Sequence, residues 1–281
     1  MYDHGHQRIT VFDLASGTFV ERPLESARCS SGEPLETESA CGIAAVLSDG
    51  RLVAAEQERR QLPGPTGEWE TTEPLTRHLG VVRGMAVERV DSVEGAPVAR
   101  YWRLRDEVQT SPIFLQAPAP FAAAGTYAFG TDRIVIAVPP YELRIRDGDG
   151  ALIRIVRVDL EPVPLTPDSL DALRQWARSD ANRFPQTGEY LDAMEPAGAI
   201  PQFGDVRLDV AGRIWGLDYA QNGIFGSSGP RGATIFDADG TPIGRMPEYP
   251  SGVLDVGADH VLLLRRDSLD VPRVERYAIV R

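Results

Sequence analysis

Val206-Arg207-Leu208-Asp209-Val210-Ala211-Gly212-Arg213-Ile214-Trp215-Gly216-Leu217-Asp218 is the stretch that decides the fold. An apolar run reaches a tight turn ending in arginine, and a second apolar run follows, which is the pattern of an antiparallel hairpin. The unit recurs from Ile43 around Ser48-Asp49-Gly50-Arg51, from Thr126 around Thr131-Asp132-Arg133, and from Val253 around Ala258-Asp259-His260. A second hairpin class, rich in aspartate at the turn and carrying a glycine before the return strand, follows the first. Its copies run from Ile9 through Asp13-Leu14-Ala15-Ser16-Gly17, from Leu143 through Asp147-Gly148-Asp149-Gly150, and from Thr234 through Asp237-Ala238-Asp239-Gly240. A degenerate copy is expected over residues 85–102, turning near Asp91-Ser92-Val93-Glu94-Gly95. Aspartate bonds its own turn backbone and glycine supplies the positive φ that a tight turn requires. One hairpin of each class makes a four-stranded antiparallel unit. Such units repeating without βαβ alternation read as blades of an all-β propeller. A sandwich or an up-and-down barrel would not predict two hairpin classes in alternation.

The chain has 281 residues, with 41 Asp and Glu against 29 cationic residues and a net charge of −12, so a basic surface for duplex nucleic acid is not expected. Every cationic side chain apart from histidine is arginine, because the sequence contains no lysine. Lysine Schiff-base chemistry, a Walker lysine and a kinase-type lysine are thereby excluded. No run approaches the ~18 apolar residues of a spanning helix, and Met1-Tyr2-Asp3-His4-Gly5-His6 forms no signal peptide. Cys29 and Cys41 share a Ser/Gly/Glu-rich stretch, where a disulfide and two free thiols both remain open readings.

One segment has helical period, residues 166–181. Thr166 is placed to cap, Pro167 to open the first turn and Leu165 to staple onto Leu170, with Leu170, Leu173, Trp176 and Ala177 on one stripe. The chain is therefore read as a single propeller over residues 1–281, with a helical insertion between blades at residues 165–202. Blades of about 40–45 residues leave room for four to five. The start inside a second-class hairpin, and the end on Arg273-Val274-Glu275-Arg276-Tyr277-Ala278-Ile279-Val280 as a third strand without its fourth, lead to the expectation of an N-terminally incomplete propeller.

These residues resemble the bacterial six-bladed β-propeller proteins related to the NHL-repeat group. The resemblance lies in the pairing of Val206 to Asp218 with Thr234-Ile235-Phe236-Asp237-Ala238-Asp239-Gly240, and in His6-Gln7-Arg8-Ile9-Thr10-Val11-Phe12-Asp13. It implies a six-bladed type and, for exported members, a periplasmic or extracellular setting. It is poor in functional information, since such proteins bind proteins, RNA or sugars, or act as lactonases and lyases.

Propeller ligands are expected at the mouth of the central channel, on loops nominated here at residues 24–41, 56–84, 160–203 and 218–232. Within them Trp69, His78, Arg183, Tyr190, Asp218 and Tyr219 are the candidate ligand-binding residues. No catalytic residue, metal ligand or cofactor is assigned. His4 and His6 with Asp3 are a terminal pair, and His260 occupies a position where the other repeats carry arginine. A lactonase-like calcium site needs Asn beside Glu and Asp, and the chain holds only Asn182 and Asn222. There is no Gly-x-Ser-x-Gly elbow. Gly226-Ser227-Ser228-Gly229 reads as linker, residues 223–232 lack a phosphate-loop ending, and Asp147-Gly148-Asp149-Gly150 lacks the later glutamate of a calcium loop. Trp215, with Val53, Val135 and Leu262 as repeat equivalents, reads as packing between blades. The leading expectation is a monomeric, non-catalytic binding or scaffolding module for a protein, peptide or glycan. The alternative is a propeller-type hydrolase or lyase with a polar or metal site in the channel, its candidates being Asp218, His78 and Arg183.

Overall fold

A computed structural model of the chain describes residues 2–3, 8–13, 18–23, 41–47, 50–57, 69–72, 74, 76–83, 86–103, 113–119, 121–122, 124–139, 142–157, 163–180, 198–219, 231–250, 252–267 and 269–279. In chain order, β1 (Tyr2–Asp3), β2 (Arg8–Asp13) and β3 (Thr18–Pro23) form an N-terminal antiparallel sheet. Blade 1 comprises β4 (Cys41–Val46), β5 (Leu52–Gln57), β7 (Thr76–Arg83) and β8 (Ala86–Glu94). Between its second and third strands the chain makes β6 (Trp69–Thr72), which pairs with β9 (Val98–Arg103), itself paired with β10 (Ile113–Pro118).

Blade 2 is β11 (Thr126–Phe129), β12 (Arg133–Val138), β13 (Glu142–Asp147) and β14 (Leu152–Arg157). The short strand β15 (Val163–Pro164), helix α1 (Pro167–Asp180) and strand β16 (Ala199–Ile200) follow, β15 pairing with β16. Blade 3 is β17 (Phe203–Leu208), β18 (Ile214–Asp218), β19 (Arg231–Phe236) and β20 (Pro242–Tyr249). Blade 4 is β21 (Val253–Val256), β22 (His260–Arg266) and β23 (Pro272–Ala278). The molecule is an all-β propeller with four blades.

The four first-class hairpins read from the sequence are the four inner strand pairs, β4/β5, β11/β12, β17/β18 and β21/β22. The degenerate hairpin expected over residues 85–102 is not formed. The outer pair of blade 1 is β7/β8, running from Thr76↔Glu94 to Arg83↔Ala86, so Asp91 lies inside a strand. The apolar run Leu79-Gly80-Val81-Val82, assigned to a loop from its neighbours, is strand, with Leu79, Gly80 and Val81 buried. Helix α1 starts as read: the Thr166 hydroxyl accepts from the Ser169 amide at 3.2 Å.

The second strand of every blade is apolar on both faces, and strand alternation explains why. On β12, Ile134 and Ile136 point back into the core shared with Val53, Leu79 and Val93 of blade 1. Val135 and Ala137 point forward into the core shared with Val206, Ile214 and Phe236 of blade 3. Blade 3 repeats the scheme, sending Trp215 and Leu217 forward against Val256 and Val261 of blade 4. Each fully buried aliphatic side chain at these seams contributes roughly 1.5–3 kcal/mol.

Among the described residues, a five-residue turn that opens on aspartate closes four hairpins in the same way. In residues 147–151, 209–213, 237–241 and 267–271 the first amide donates to the fifth carbonyl, and the fourth amide donates to the first carbonyl. The first residue, Asp147, Asp209, Asp237 or Asp267, accepts from the third and fifth amides through Oδ1. The fourth position has positive φ and is Gly150, Gly212 or Gly240 at 86°, 76° and 82°, whereas Asp270 takes it at 62°. Asp209 does more than its equivalents, because its buried Oδ2 accepts from Arg213 Nε at 2.5 Å and Trp215 Nε1 at 3.0 Å.

The arginine ending the inner turn then reaches the next blade. Arg51 pairs with Asp149 at 2.7 Å, Arg133 donates to the Ala238 carbonyl, and Arg213 approaches the Gly257 and Ala258 carbonyls at 3.4 Å. At the equivalent position of blade 4, His260 bonds within its own blade to Asp259 at 2.7 Å.

Two outcomes follow for urea unfolding. Asp209→Ala strands the guanidinium and indole donors, and is expected to cost about 3–5 kcal/mol, against about 1 kcal/mol for Asp237→Ala in a more open copy of the turn. Asp270→Gly relieves the positive φ, and is expected to stabilise by about 0.5–1 kcal/mol.

Candidate functional site

The inner strands of blades 2, 3 and 4 border a cavity of 370 Å³. Its wall consists of β11 (Tyr127, Ala128, Phe129), β17 (Asp205 to Leu208) and β21 (Val253 to Val256). On β17 alternation places Val206 in the core between blades, while Asp205 and Arg207 leave that core and reach the cavity. Asp205 is fixed by its neighbours: Oδ1 accepts from Thr126 Oγ1 at 3.1 Å and from the Val206 amide at 2.9 Å.

Arg207 is held loosely. Its Nε lies 3.7 Å from Asp205 Oδ2, beyond hydrogen-bond distance, and its NH1 reaches the Val253 carbonyl only at 3.4 Å. Nε is buried with no hydrogen-bond partner. Asp255 is exposed at the cavity rim. The contrast with the other ion pairs is large, for Arg146–Asp91, Arg213–Asp209 and Arg245–Asp218 close at 2.7, 2.5 and 2.6 Å. The cavity thus carries two carboxylates and one guanidinium that are incompletely engaged, beside the apolar surfaces of Phe129, Val253 and Leu254.

Beside this cluster stands Tyr249, 7% exposed, its ring edge-on to Trp215 at 6.0 Å. Its hydroxyl is buried without a hydrogen-bond partner. Burial raises its pKa to about 12, with Asp205 and Asp255 acting in the same direction and Arg207 against it. The phenol stays protonated at neutral pH and offers a donor.

Of the residues nominated from sequence, Asp218, Tyr219, His78 and Trp69 are described, and they do not line this cavity. Asp218 ends β18, and its carboxylate takes both terminal nitrogens of Arg245, at 2.6 and 3.2 Å. Tyr219 follows, its ring 6.4 Å from that of Phe121, and burial raises its hydroxyl pKa. His78 is half-buried in β7 opposite Glu56, and Trp69 is in β6 opposite Tyr101, so both occupy strands rather than the expected loop. Arg183, Tyr190, His4, His6, Cys29 and the loop glycines of residues 223–230 lie outside the described residues, as does the Cys41 side chain. Among the described candidates, Asp218 and Tyr219 are chain neighbours at the end of β18.

The cavity residues were missed because loops, not first strands, were searched. The signal was present as Asp205-Val206-Arg207 and Asp255-Val256, polar residues interleaved with core valines in the inner strand of a repeat. Among the described residues no group of three or more His, Cys, Asp or Glu is arranged to hold a metal ion. No described helix is long and apolar enough to cross a membrane. No family model matches the chain, and no curated protein matches it significantly.

Tyr249→Phe tests the buried phenol. With the hydroxyl unpartnered, removing it is expected to leave stability at pH 7 unchanged or up to about 1 kcal/mol higher. In the unfolded chain tyrosine ionises near pH ~10, while the folded phenol holds its proton to about 12. The folded state therefore binds more protons between these values, and stability falls as pH rises through them. Stability curves over that interval are expected to be flatter in the variant.

Proposed function

We propose that this protein is a non-catalytic binding propeller that takes a segment of a peptide or protein in the cavity bordered by β11, β17 and β21. The observation that carries the reading is the incomplete engagement of Asp205, Arg207 and Asp255 in a cavity whose remaining wall is apolar. A peptide segment presents backbone donors and acceptors together with apolar side chains, and so matches a wall that offers carboxylates, a guanidinium and aliphatic surface at once. The volume of 370 Å³ suits a few residues rather than a folded surface.

The channel hydrolase or lyase gains less support. Arg207 places a positive charge beside Asp205, which weakens the cluster as a cation cage, and Asp218 is engaged by Arg245. On the same reading, residues 1–281 form one propeller unit with residues 165–202 as a helical insertion. The two hairpin classes favour a relation to the six-bladed NHL-type proteins, whose exported members act in the periplasm or at the cell surface.

Selection of a displayed random-peptide library on the wild-type chain tests the proposal. Enriched peptides are expected to lose at least tenfold in affinity on Arg207→Gln and on Asp255→Asn, about 1.4 kcal/mol each, with unchanged thermal midpoints. Peptides binding both variants as tightly as wild type, or enrichment of glycans but not peptides on a parallel array, would overturn it.

A further inference from the structure

The second strands of the four blades are equivalent residue by residue, and this equivalence isolates one face. The forward position held by Val53, Val135 and Trp215 is 0%, 0% and 2% exposed, while Leu262 in blade 4 is only half-buried. Two residues on, Ala137 and Leu217 are 5% and 3% exposed, and their equivalent Leu264 is 37% exposed. Opposite Leu264 on β23 stands Val274, 61% exposed. The arginine tie that leads out of each earlier blade is also replaced here by His260, bonded within its own blade. Among the described residues, blade 4 thus presents the apolar forward face of a blade seam with no blade packed on it.

The backward faces of the array are already covered, since Leu52 and Ala54 of blade 1 are 4% and 1% exposed. A second copy therefore has no free backward face to offer in a head-to-tail stack. What remains is contact between like faces, which closes about a two-fold axis.

The register shows that the face complements itself. Asp255 pairs with Leu262 and Leu262 with Arg276, so these three residues form one cross-strand row. Residues directly opposite in antiparallel strands share a face. A two-fold axis parallel to the strands and passing over Leu262 lays Leu262 on its counterpart and sets each Asp255 across from the Arg276 of the other copy. Leu264 and Val274 supply the apolar row beside it. Among the described residues Arg276 makes only long contacts within its own chain, 3.4 Å to Asp259 and to His260, which a short ion pair can displace. We propose that two copies of this chain associate through the forward face of blade 4, with a Leu262 contact on the axis flanked by two Asp255–Arg276 ion pairs. This departs from the monomer expected from sequence; it shares Asp255 with the proposed peptide site, and Leu264 and Val274, which do not line the cavity, separate the two readings.

Sedimentation velocity on the full chain over a range of concentrations tests it. The expected species is a dimer of twice 30.7 kDa. Leu264→Asp combined with Val274→Asp is expected to give monomer at every concentration; both side chains are exposed, and circular dichroism checks that the fold is kept. Asp255→Arg and Arg276→Asp are each expected to weaken association at least tenfold, and the double reversal to restore it, because the pair re-forms across the axis. Ile153→Asp, on the exposed outer strand of blade 2, is expected to leave the dimer intact. A wild-type monomer throughout, a dimer that survives the double aspartate variant, or reversals that add rather than cancel would each overturn the proposal.

Discussion

Strand alternation at the blade seams is the constraint on which the molecule depends. Successive side chains on a strand face opposite ways, and a blade with a neighbour on each side must bury both sets. The second strand of a blade consequently has no solvent face: Ile134, Val135 and Ile136 are each 0% exposed, with even-numbered residues serving one seam and the odd-numbered residue the next. Polar residues are displaced to the first strand, to the turns and to the outer pair. The cavity exists because β17 and β21 can carry Asp205, Arg207 and Asp255 without breaking a seam.

Arginine secures what apolar packing aligns. Asp91 is almost fully buried between Arg144 and Arg146 of the next blade, at 3.1 and 2.7 Å, so the outer parts of the first seam are held by a partly desolvated ion cluster. At the inner turns a guanidinium can bond its own strand and a neighbouring turn at once, as Arg213 does with Asp209 and the Gly257 carbonyl. An ammonium lacks this planar fork of donors, so the arginine-only composition suits the geometry.

The architecture was legible because its signals are local. A turn such as Asp237-Ala238-Asp239-Gly240 carries its own hydrogen-bond pattern and needs no partner from elsewhere in the chain to be read. Trp215 could be placed between blades because its repeat equivalents are apolar, and it lies there, bonded to Asp209. The outer pair of blade 1 was not legible, since the connection between Arg83 and Ala86 is Gly84-Met85, without the aspartate of the turn signature, and the excursion through β6 hides the spacing. The cavity was not legible either. Whether Asp218 or Asp255 is taken up by an arginine depends on contacts distant in sequence, such as Arg245 reaching across a blade.

Because each blade is secured chiefly to the one before and the one after it, the array behaves as a row of coupled units rather than as a body with one centre. Cooperativity then resides in the seams. A lesion confined to one of them, for example between Phe236 and Ile145, would divide the row into two shorter stretches, each retaining its own internal contacts. Such a molecule melts by parting at its weakest joint, and the number of resolved thermal steps counts the joints that have become weaker than the blades they connect.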